Sequence, residues 1–305
     1  MTARAHDHGQ GPGAGNGSRL SLVLGVTVVV LVVEVVGAVL SGSLALLADA
    51  GHMFTDVAGL SLALLAAHLM HRPATDSRTW GYRRVEVLAA AAQAAALLLV
   101  GAYVLVEGVR RLLSPPEVSS GIMLAFGIVG LVGNTVGIGL LSGSRRSNLN
   151  MRAAFLEVVN DALGSAAVLV AAVVIWATGW TRADAVASLL IGLLIVPRTI
   201  RLLRETVSVL LESTPKGIDL QQVRDHLLQV PHVHEIHDLH ASQVATGLPV
   251  LTVHAVVEDR CFEDGQLPIL LDQVQACLAG HFDVEHSTIQ FEPASHSSHE
   301  PGTHL

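Results

Sequence analysis

Long apolar stretches separated by short polar turns occupy the first two thirds of this 305-residue chain. A helix crosses the hydrocarbon core of a bilayer in about 20 residues, and most of these stretches reach that length. We therefore predict six membrane-spanning helices at about residues 20–40, 44–69, 86–109, 118–141, 153–177 and 185–203. The sixth has the weakest pattern, because Pro197 and Arg198 interrupt its apolar run.

The pattern changes after Glu212, where Ser213-Thr214-Pro215 reads as a linker. Helical periodicity over 219–229, with Asp219 as the N-cap, is followed by strand patterns, a second helix and a last strand. These later elements are expected at residues 234–239, 248–258, 267–279 and 287–291. We thus expect a polar tail over 1–18 without stable structure, a membrane domain over 19–211, a small cytoplasmic α/β domain over 212–293, and a His-containing tail over 294–305.

Composition supports a polytopic membrane protein over a soluble one. The chain is 51% hydrophobic and only 14% charged, with a mean hydropathy of +0.54. It carries no basic patch interleaved with aromatic residues, so nucleic acid is not an expected partner. An even number of spans puts both termini on one side, and the loops after spans two, four and six carry more arginine than the others. By the positive-inside rule, both termini are expected in the cytoplasm.

Two pairs of ionisable residues lie inside the predicted spans. His52 and Asp56 are four residues apart in the second span, and Glu157 and Asp161 are four apart in the fifth. Residues at this spacing lie one turn apart on the same helix face, and charged groups in a membrane are costly unless compensated. Nitrogen and oxygen ligands from two helices could hold one divalent cation for transport. A hydrogen-bonded helix pair or a proton relay is the alternative.

A second group of metal-ligand residues lies in the predicted cytoplasmic domain. Its members are His237, His240, His254, His286 and Glu292. Imidazole and carboxylate favour zinc, although surface histidines in strands are commonly just solvated. Glu34 and Asp49, also within spans, are expected to be structural partners or to give water access. His68, His71 and Asp76 are candidates for an auxiliary site, and Cys261 and Cys277 for two reduced thiols.

With these residues in view, the chain resembles the cation diffusion facilitator family, particularly its zinc–cobalt–cadmium branch. The resemblance covers residues 20–293. It rests on SGSLALLADAGHMFTD (41–56), GYRRVEVLAA (81–90), AFLEVVNDALGS (154–165), ESTPKGIDL (212–220), HDLH (237–240) and EHSTIQFE (285–292).

The resemblance implies six spans, a metallochaperone-like (ferredoxin-like) cytoplasmic domain, a homodimer, and efflux of divalent metal in exchange for protons. The Ala/Gly-rich composition and short loops are typical of a bacterial chain, which predicts a plasma (inner) membrane location. We expect no cofactor, but transported and regulatory zinc or another divalent metal. The implied transport ligands are His52, Asp56 and Asp161, together with position 157, where the zinc branch usually has His and this chain has Glu157. The implied cytoplasmic ligands are His237, His254, His286 and Glu292, with His240 adjacent.

These observations predict a proton-coupled exporter, most plausibly of zinc, with cobalt and cadmium as further cargo. Because Glu157 makes the site harder and more anionic, a preference for manganese, iron or cobalt is the main alternative. A membrane-anchored metal sensor is a distant one. An intramembrane metallohydrolase would need a motif such as HExxH, which the sequence lacks.

Overall fold

A computed structural model describes residues 13–143, 149–284 and 286–297 of the chain. Its long helices are α1 Gly13–Ser41, α2 Leu44–Met70, α3 Val85–Leu113, α4 Ser120–Ser142, α5 Leu149–Thr178 and α6 Arg182–Leu210. Within the described residues, these six are the helices long and apolar enough to cross a membrane, which confirms the six predicted spans. Residues 13–18, expected to lack structure, form the first turns of α1, since extending an existing helix costs far less than starting one. Most of the N-terminal and C-terminal tails lie outside the described residues.

Helix α6 corrects the prediction for the sixth span. It runs through Pro197 as far as Leu210, so Pro197 does not end it and Arg198 lies in the helix and not in a loop. An interior proline costs about 3 kcal/mol in a soluble helix. Within a membrane, however, leaving the helix would expose further backbone groups that have no water to bond with, and side-chain hydroxyls help to satisfy the remaining carbonyls. Beside the proline, Thr199 Oγ1 donates to the Ile195 carbonyl at 3.0 Å, while the carbonyl that loses its amide partner at Pro197 is that of Leu193.

The residues form two compact units, which are described separately. The first takes in the described residues up to 62 and those between 92 and 202. In it, α4 packs against both α1 and α5. Small residues permit this close approach: a Cβ at Gly37 of α1 would overlap the ring of Phe126 on α4. The packed side chains are mostly alanine, valine and leucine, as the low aromatic content requires.

A buried carboxylate fixes the start of α2 within this unit. Asp184 of α6 accepts hydrogen bonds from Ser43 Oγ at 2.5 Å, from the Leu44 amide at 2.8 Å and from the Ala45 amide at 3.1 Å. The first amides of a helix have no partner inside it, and its positive end favours an anion. Asp184 therefore ties α6 to the helix that carries His52.

The second unit contains the described residues between 63 and 91 and from 203 onward. After α6 its elements are α7 Leu220–Leu227, β1 Val233–Ala245, β2 Leu248–Val257, the 3₁₀ turn Asp259–Phe262, α8 Leu267–Phe282, β3 His286–Glu292 and α9 Ala294–Ser297. The sheet order is β1-β2-β3, with β1 antiparallel and β3 parallel to β2. The predicted order of helix, two strands, helix and strand is confirmed, and Asp219 caps α7 by accepting from the amides of Gln221 and Gln222.

Buried side chains from α7, α8 and one face of the sheet form the core of this α/β fold. Strand β1 is longer than predicted, continuing to Ala245, because alternate residues remain buried beyond Leu239. The predicted strand over 234–239 put His237 and His240 at its end. In the structure both lie inside β1. Cys261 and Cys277 are free thiols, and burial raises the pKa of both.

Candidate metal centres

Helices α2 and α5 bring together the four intramembrane ligands that the sequence singled out. His52 Nε2 lies 3.4 Å from Asp56 Oδ2, 3.6 Å from Glu157 Oε1 and 3.8 Å from Asp161 Oδ1. These separations are too long for good hydrogen bonds. Two ligands of a tetrahedral zinc ion, each about 2.1 Å from the metal, lie roughly 3.4 Å apart. Ligand atoms of His52, Asp56 and Asp161 all lie within 4.8 Å of one another, which fits one cation, and Glu157 lies beside this trio through its contact with His52.

The hydrogen bonding of these groups also indicates a cation. His52 Nδ1, Asp56 Oδ2 and Asp161 Oδ1 are buried without a hydrogen bond to any described residue. An unsatisfied buried polar group costs roughly 1–3 kcal/mol. His52 and Asp161 are the more deeply buried members, at 8% and 4% exposure. Asp56 and Glu157 are more accessible, which gives the cluster one enclosed and one open side.

Glu157 has a partner that sequence reasoning missed. Arg198 of α6 donates from Nη2 to Glu157 Oε2 at 2.7 Å and from Nη1 to Oε1 at 3.4 Å. This fork-to-carboxylate geometry is the strong form of an arginine–carboxylate contact. The prediction carried the sixth span to about residue 203 but counted Arg198 with the arginines of the loop that follows it, so it assigned Arg198 no partner inside the membrane domain.

A second polar cluster is built around Ser165, one turn beyond Asp161 on α5. Ser165 Oγ lies 3.0 Å from Asp49 Oδ2 and 3.3 Å from Glu34 Oε1, and accepts from Asn134 Nδ2 at 3.1 Å. The prediction that Glu34 and Asp49 have structural partners agrees with this cluster. Glycines make room for it, since a Cβ at Gly164 would overlap the Asp49 carboxylate and one at Gly130 that of Glu34.

Three strands of the sheet in the second unit assemble the second candidate centre. His237 of β1 is directly opposite His254 of β2, and their ring centroids are 5.2 Å apart. Glu292 of β3, only 1% exposed, approaches His254 Nδ1 at 2.8 Å through Oε1 and His237 Nε2 at 3.4 Å through Oε2. Its Oε2 atom has no hydrogen bond within the described chain. Two imidazoles and one buried carboxylate at these distances fit a zinc ion.

His240 lies at the side of this trio, linked to it by a residue that the sequence analysis did not select. Asp238 Oδ1 is 3.0 Å from His240 Nε2, and Asp238 Oδ2 is 3.8 Å from His254 Nε2. The strand register shifts between His237 and His240, and Asp238 has a φ of 47°, a left-handed conformation that aspartate tolerates better than most residues. The position of Asp238 inside the HDLH motif was the available signal.

Within this chain the structure does not bring His286 to the trio, and its role as a ligand stays a prediction. His286 begins β3 and Glu292 ends it, and six strand residues span about 20 Å. The His286 ring instead makes an edge contact with Trp80, 4.8 Å between centroids. Among the described residues, the groups of three or more ligands close enough for one ion belong to the two centres above, so His68, His71 and Asp76 do not assemble a third.

Comparison with protein families agrees with this architecture. Residues 20–211 match the model described as the cation efflux transmembrane domain, and residues 215–294 match that of the cation efflux protein cytoplasmic domain. The chain is 42% identical over 264 residues to the metal cation efflux system protein CzcD of Cupriavidus metallidurans, covering 87% of this chain and 83% of that protein.

Two further relatives and one solved structure are similar. The zinc transporter ZitB of Escherichia coli is 42% identical over 277 residues, covering 90% of this chain and 86% of ZitB. The cadmium, cobalt and zinc/H(+)-K(+) antiporter of Bacillus subtilis is 36% identical over 269 residues, covering 88% and 86%. The solved metal-bound C-terminal domain of the Cupriavidus CzcD transporter is 36% identical, covers 25% of this chain and 99% of its own, and has a TM-score of 0.23. The family models together account for nearly the whole described chain, and the chain therefore belongs to the cation efflux family.

Proposed function

We propose that this protein exports divalent metal cations, zinc foremost and cobalt and cadmium after it, from the cytoplasm in exchange for protons. The observation that carries the proposal is the trio of His52, Asp56 and Asp161, whose ligand atoms all lie within 4.8 Å of one another between α2 and α5, with Glu157 Oε1 3.6 Å from His52 Nε2. The named activities of CzcD, ZitB and the Bacillus antiporter support the same cargo and the exchange.

The cluster can both take up and release its cargo. A cation entering from the cytoplasm binds His52 Nε2 and the surrounding carboxylates, which lose any protons they carry. Rearrangement of the helices then opens the site to the other side, where protons compete with the metal for the same atoms. An imidazole is suited to this competition, because its ordinary pKa lies near neutral pH. The cargo is held by protein ligands without an activated water, which suits transport and not hydrolysis.

We propose that His237, His254 and Glu292 hold a resident zinc ion, with Asp238 and His240 beside it. Such an ion would join all three strands of the sheet and add a positive charge beside the buried Glu292. We also propose a homodimer in the inner membrane with both termini in the cytoplasm. The match of residues 215–294 to a cytoplasmic domain model named for dimerisation supports the dimer, and the arginine distribution supports the orientation.

A preference for manganese or cobalt over zinc is the alternative cargo, because three carboxylates form a harder site than two. The test is dye-reported accumulation of zinc, cobalt, cadmium and manganese in proteoliposomes, with and without a pH gradient and with a matched potassium gradient. Zinc accumulation that is driven by the pH gradient supports the proposal. Faster manganese transport would overturn the zinc assignment, and metal binding without accumulation would favour a membrane-anchored sensor.

A further inference from the structure

Arg198 and Glu157 form an ion pair at the edge of the intramembrane centre. The two nitrogens of the Arg198 fork face the two oxygens of Glu157, with the shorter contact of 2.7 Å at Oε2. Arginine has five donors and no acceptor, and it stays protonated in proteins, so it cannot itself ligate a metal. Its direct contact with the centre is therefore with Glu157.

The two oxygens of Glu157 have different neighbours. Oε2 is the nearer to Arg198, and Oε1 is 3.6 Å from His52 Nε2. Arg198 thus holds Oε2 closely, and Oε1, which has only the longer 3.4 Å contact with Nη1, also lies beside His52. Outer partners of this kind orient metal ligands and tune their strength. Glu157 would otherwise be the least restrained ligand, since it is the most exposed of the four.

The formal charges of the cluster give Arg198 a second role. A neutral His52 with the carboxylates of Asp56, Glu157 and Asp161 carries −3, so a bound divalent cation would leave −1. With Arg198 included, the formal charge is −2 for the metal-free, deprotonated centre and zero for the metal-loaded centre. A net charge is costly in the low-dielectric interior of a membrane protein, and a neutral loaded centre avoids that cost when the site closes.

We propose that Arg198 is the positioning and charge-balancing residue of the transport site, so that Glu157 and Arg198 together act as one neutral ligand unit. This inference rests on the proposed transport function. It predicts that the two residues are coupled. Substituting either residue alone changes the formal charge of the site, and substituting both restores it. In the metal-free centre with its carboxylates deprotonated, Glu157→His would give a formal charge of −1 and Arg198→Met one of −3. The double variant would return the formal charge to −2.

The test is a double-mutant cycle in the full chain, reconstituted in proteoliposomes, with zinc as the probe. Arg198→Met should lower the maximal transport rate about tenfold, the lower end of the effects seen for outer-shell partners, without raising KM. Glu157→His should instead raise KM and weaken zinc binding measured by titration in detergent. The double variant should transport faster than either single variant.

Two further variants separate this role from a structural one. Arg201→Met removes an exposed arginine one turn away on the same helix and should transport like wild type. Arg198→Lys keeps the charge but not the fork, and should fall between wild type and Arg198→Met. Should Arg198→Met not be recovered as a monodisperse protein, the cycle is run with Arg198→Lys, Glu157→His and the double variant that combines these two substitutions.

The outcomes distinguish this inference from the function on which it rests. Wild type that accumulates none of the metals would overturn the transport function and this inference with it. Wild type that transports zinc, combined with independent effects of the two substitutions, would overturn the role of Arg198 alone. Wild-type rates in Arg198→Met would do the same.

Discussion

The two metal centres use the same kinds of ligand on very different scaffolds. The intramembrane centre combines one imidazole with three carboxylates from two helices, and a third helix supplies Arg198. The sheet centre combines two imidazoles with one carboxylate from three strands. Helices can move relative to one another as units, whereas hydrogen-bonded strands hold their side chains at fixed separations.

The two uses of metal that we propose for these candidate centres follow from this difference. Carboxylate-rich ligands on separate helices suit an ion that must enter and leave, because helix movement changes their spacing. Ligands on paired strands suit an ion that stays, because His237 and His254 are fixed opposite each other by the ladder between β1 and β2. We therefore expect loss of the first centre to stop transport, and loss of the second to affect mainly metal retention and domain stability.

Asp161→Asn tests this comparison with the largest expected effect. The substitution keeps the size of a side chain that is only 4% exposed but removes one of the anionic ligands. Zinc accumulation in proteoliposomes should fall to background while the protein still elutes as a folded species. Asp76→Asn, at an exposed loop position, is the matched control and should transport normally. Normal flux in Asp161→Asn would contradict the assignment of the transport site.

Glu292→Gln should lower zinc transport less than Asp161→Asn does, but it should strongly lower the zinc affinity of the sheet centre. Glutamine is similar in shape but lacks the charge that faces both His237 and His254. Zinc affinity of the cytoplasmic centre should fall about 10–100-fold, by analogy with other changes at metal sites. Titration of zinc into an Asp161→Asn background isolates this centre. Unchanged zinc affinity in that background would show that Glu292 is not a ligand.

His286→Ala should have the smallest effect on zinc affinity, and it tests whether His286 belongs to the sheet centre. His286 lies six residues from Glu292 and contacts Trp80, so its loss should leave zinc affinity of the trio unchanged. Zinc titration in the Asp161→Asn background measures this affinity. His254→Ala, which should lose zinc affinity, is the comparison variant. A drop like that of His254→Ala would mean that His286 does reach a metal ion.

The sequence predicted contacts between residues that are close in the chain better than contacts between residues that are far apart in it. Ligands on one helix were correctly paired, because His52 and Asp56 are neighbours through helix geometry alone. The predicted sixth span stopped at about 203, short of Leu210, because Pro197 and Arg198 weaken an apolar run that remains helical inside a membrane. The sequence also grouped His286 with His237, His254 and Glu292 because position along a strand was not converted into distance, and the structure does not place it beside them.

The sequence by itself determined the six spans, the order of elements in the cytoplasmic domain and the two sets of ligand types, since hydrophobic length, periodicity and capping act over a few residues. Only the tertiary structure decided which partners these ligands meet. The Arg198–Glu157 pair joins two helices 41 positions apart in the chain, and Asp238 reaches His254 because of an irregularity in β1. Such contacts depend on how helices and strands pack against each other, and no local pattern in the chain encodes that packing.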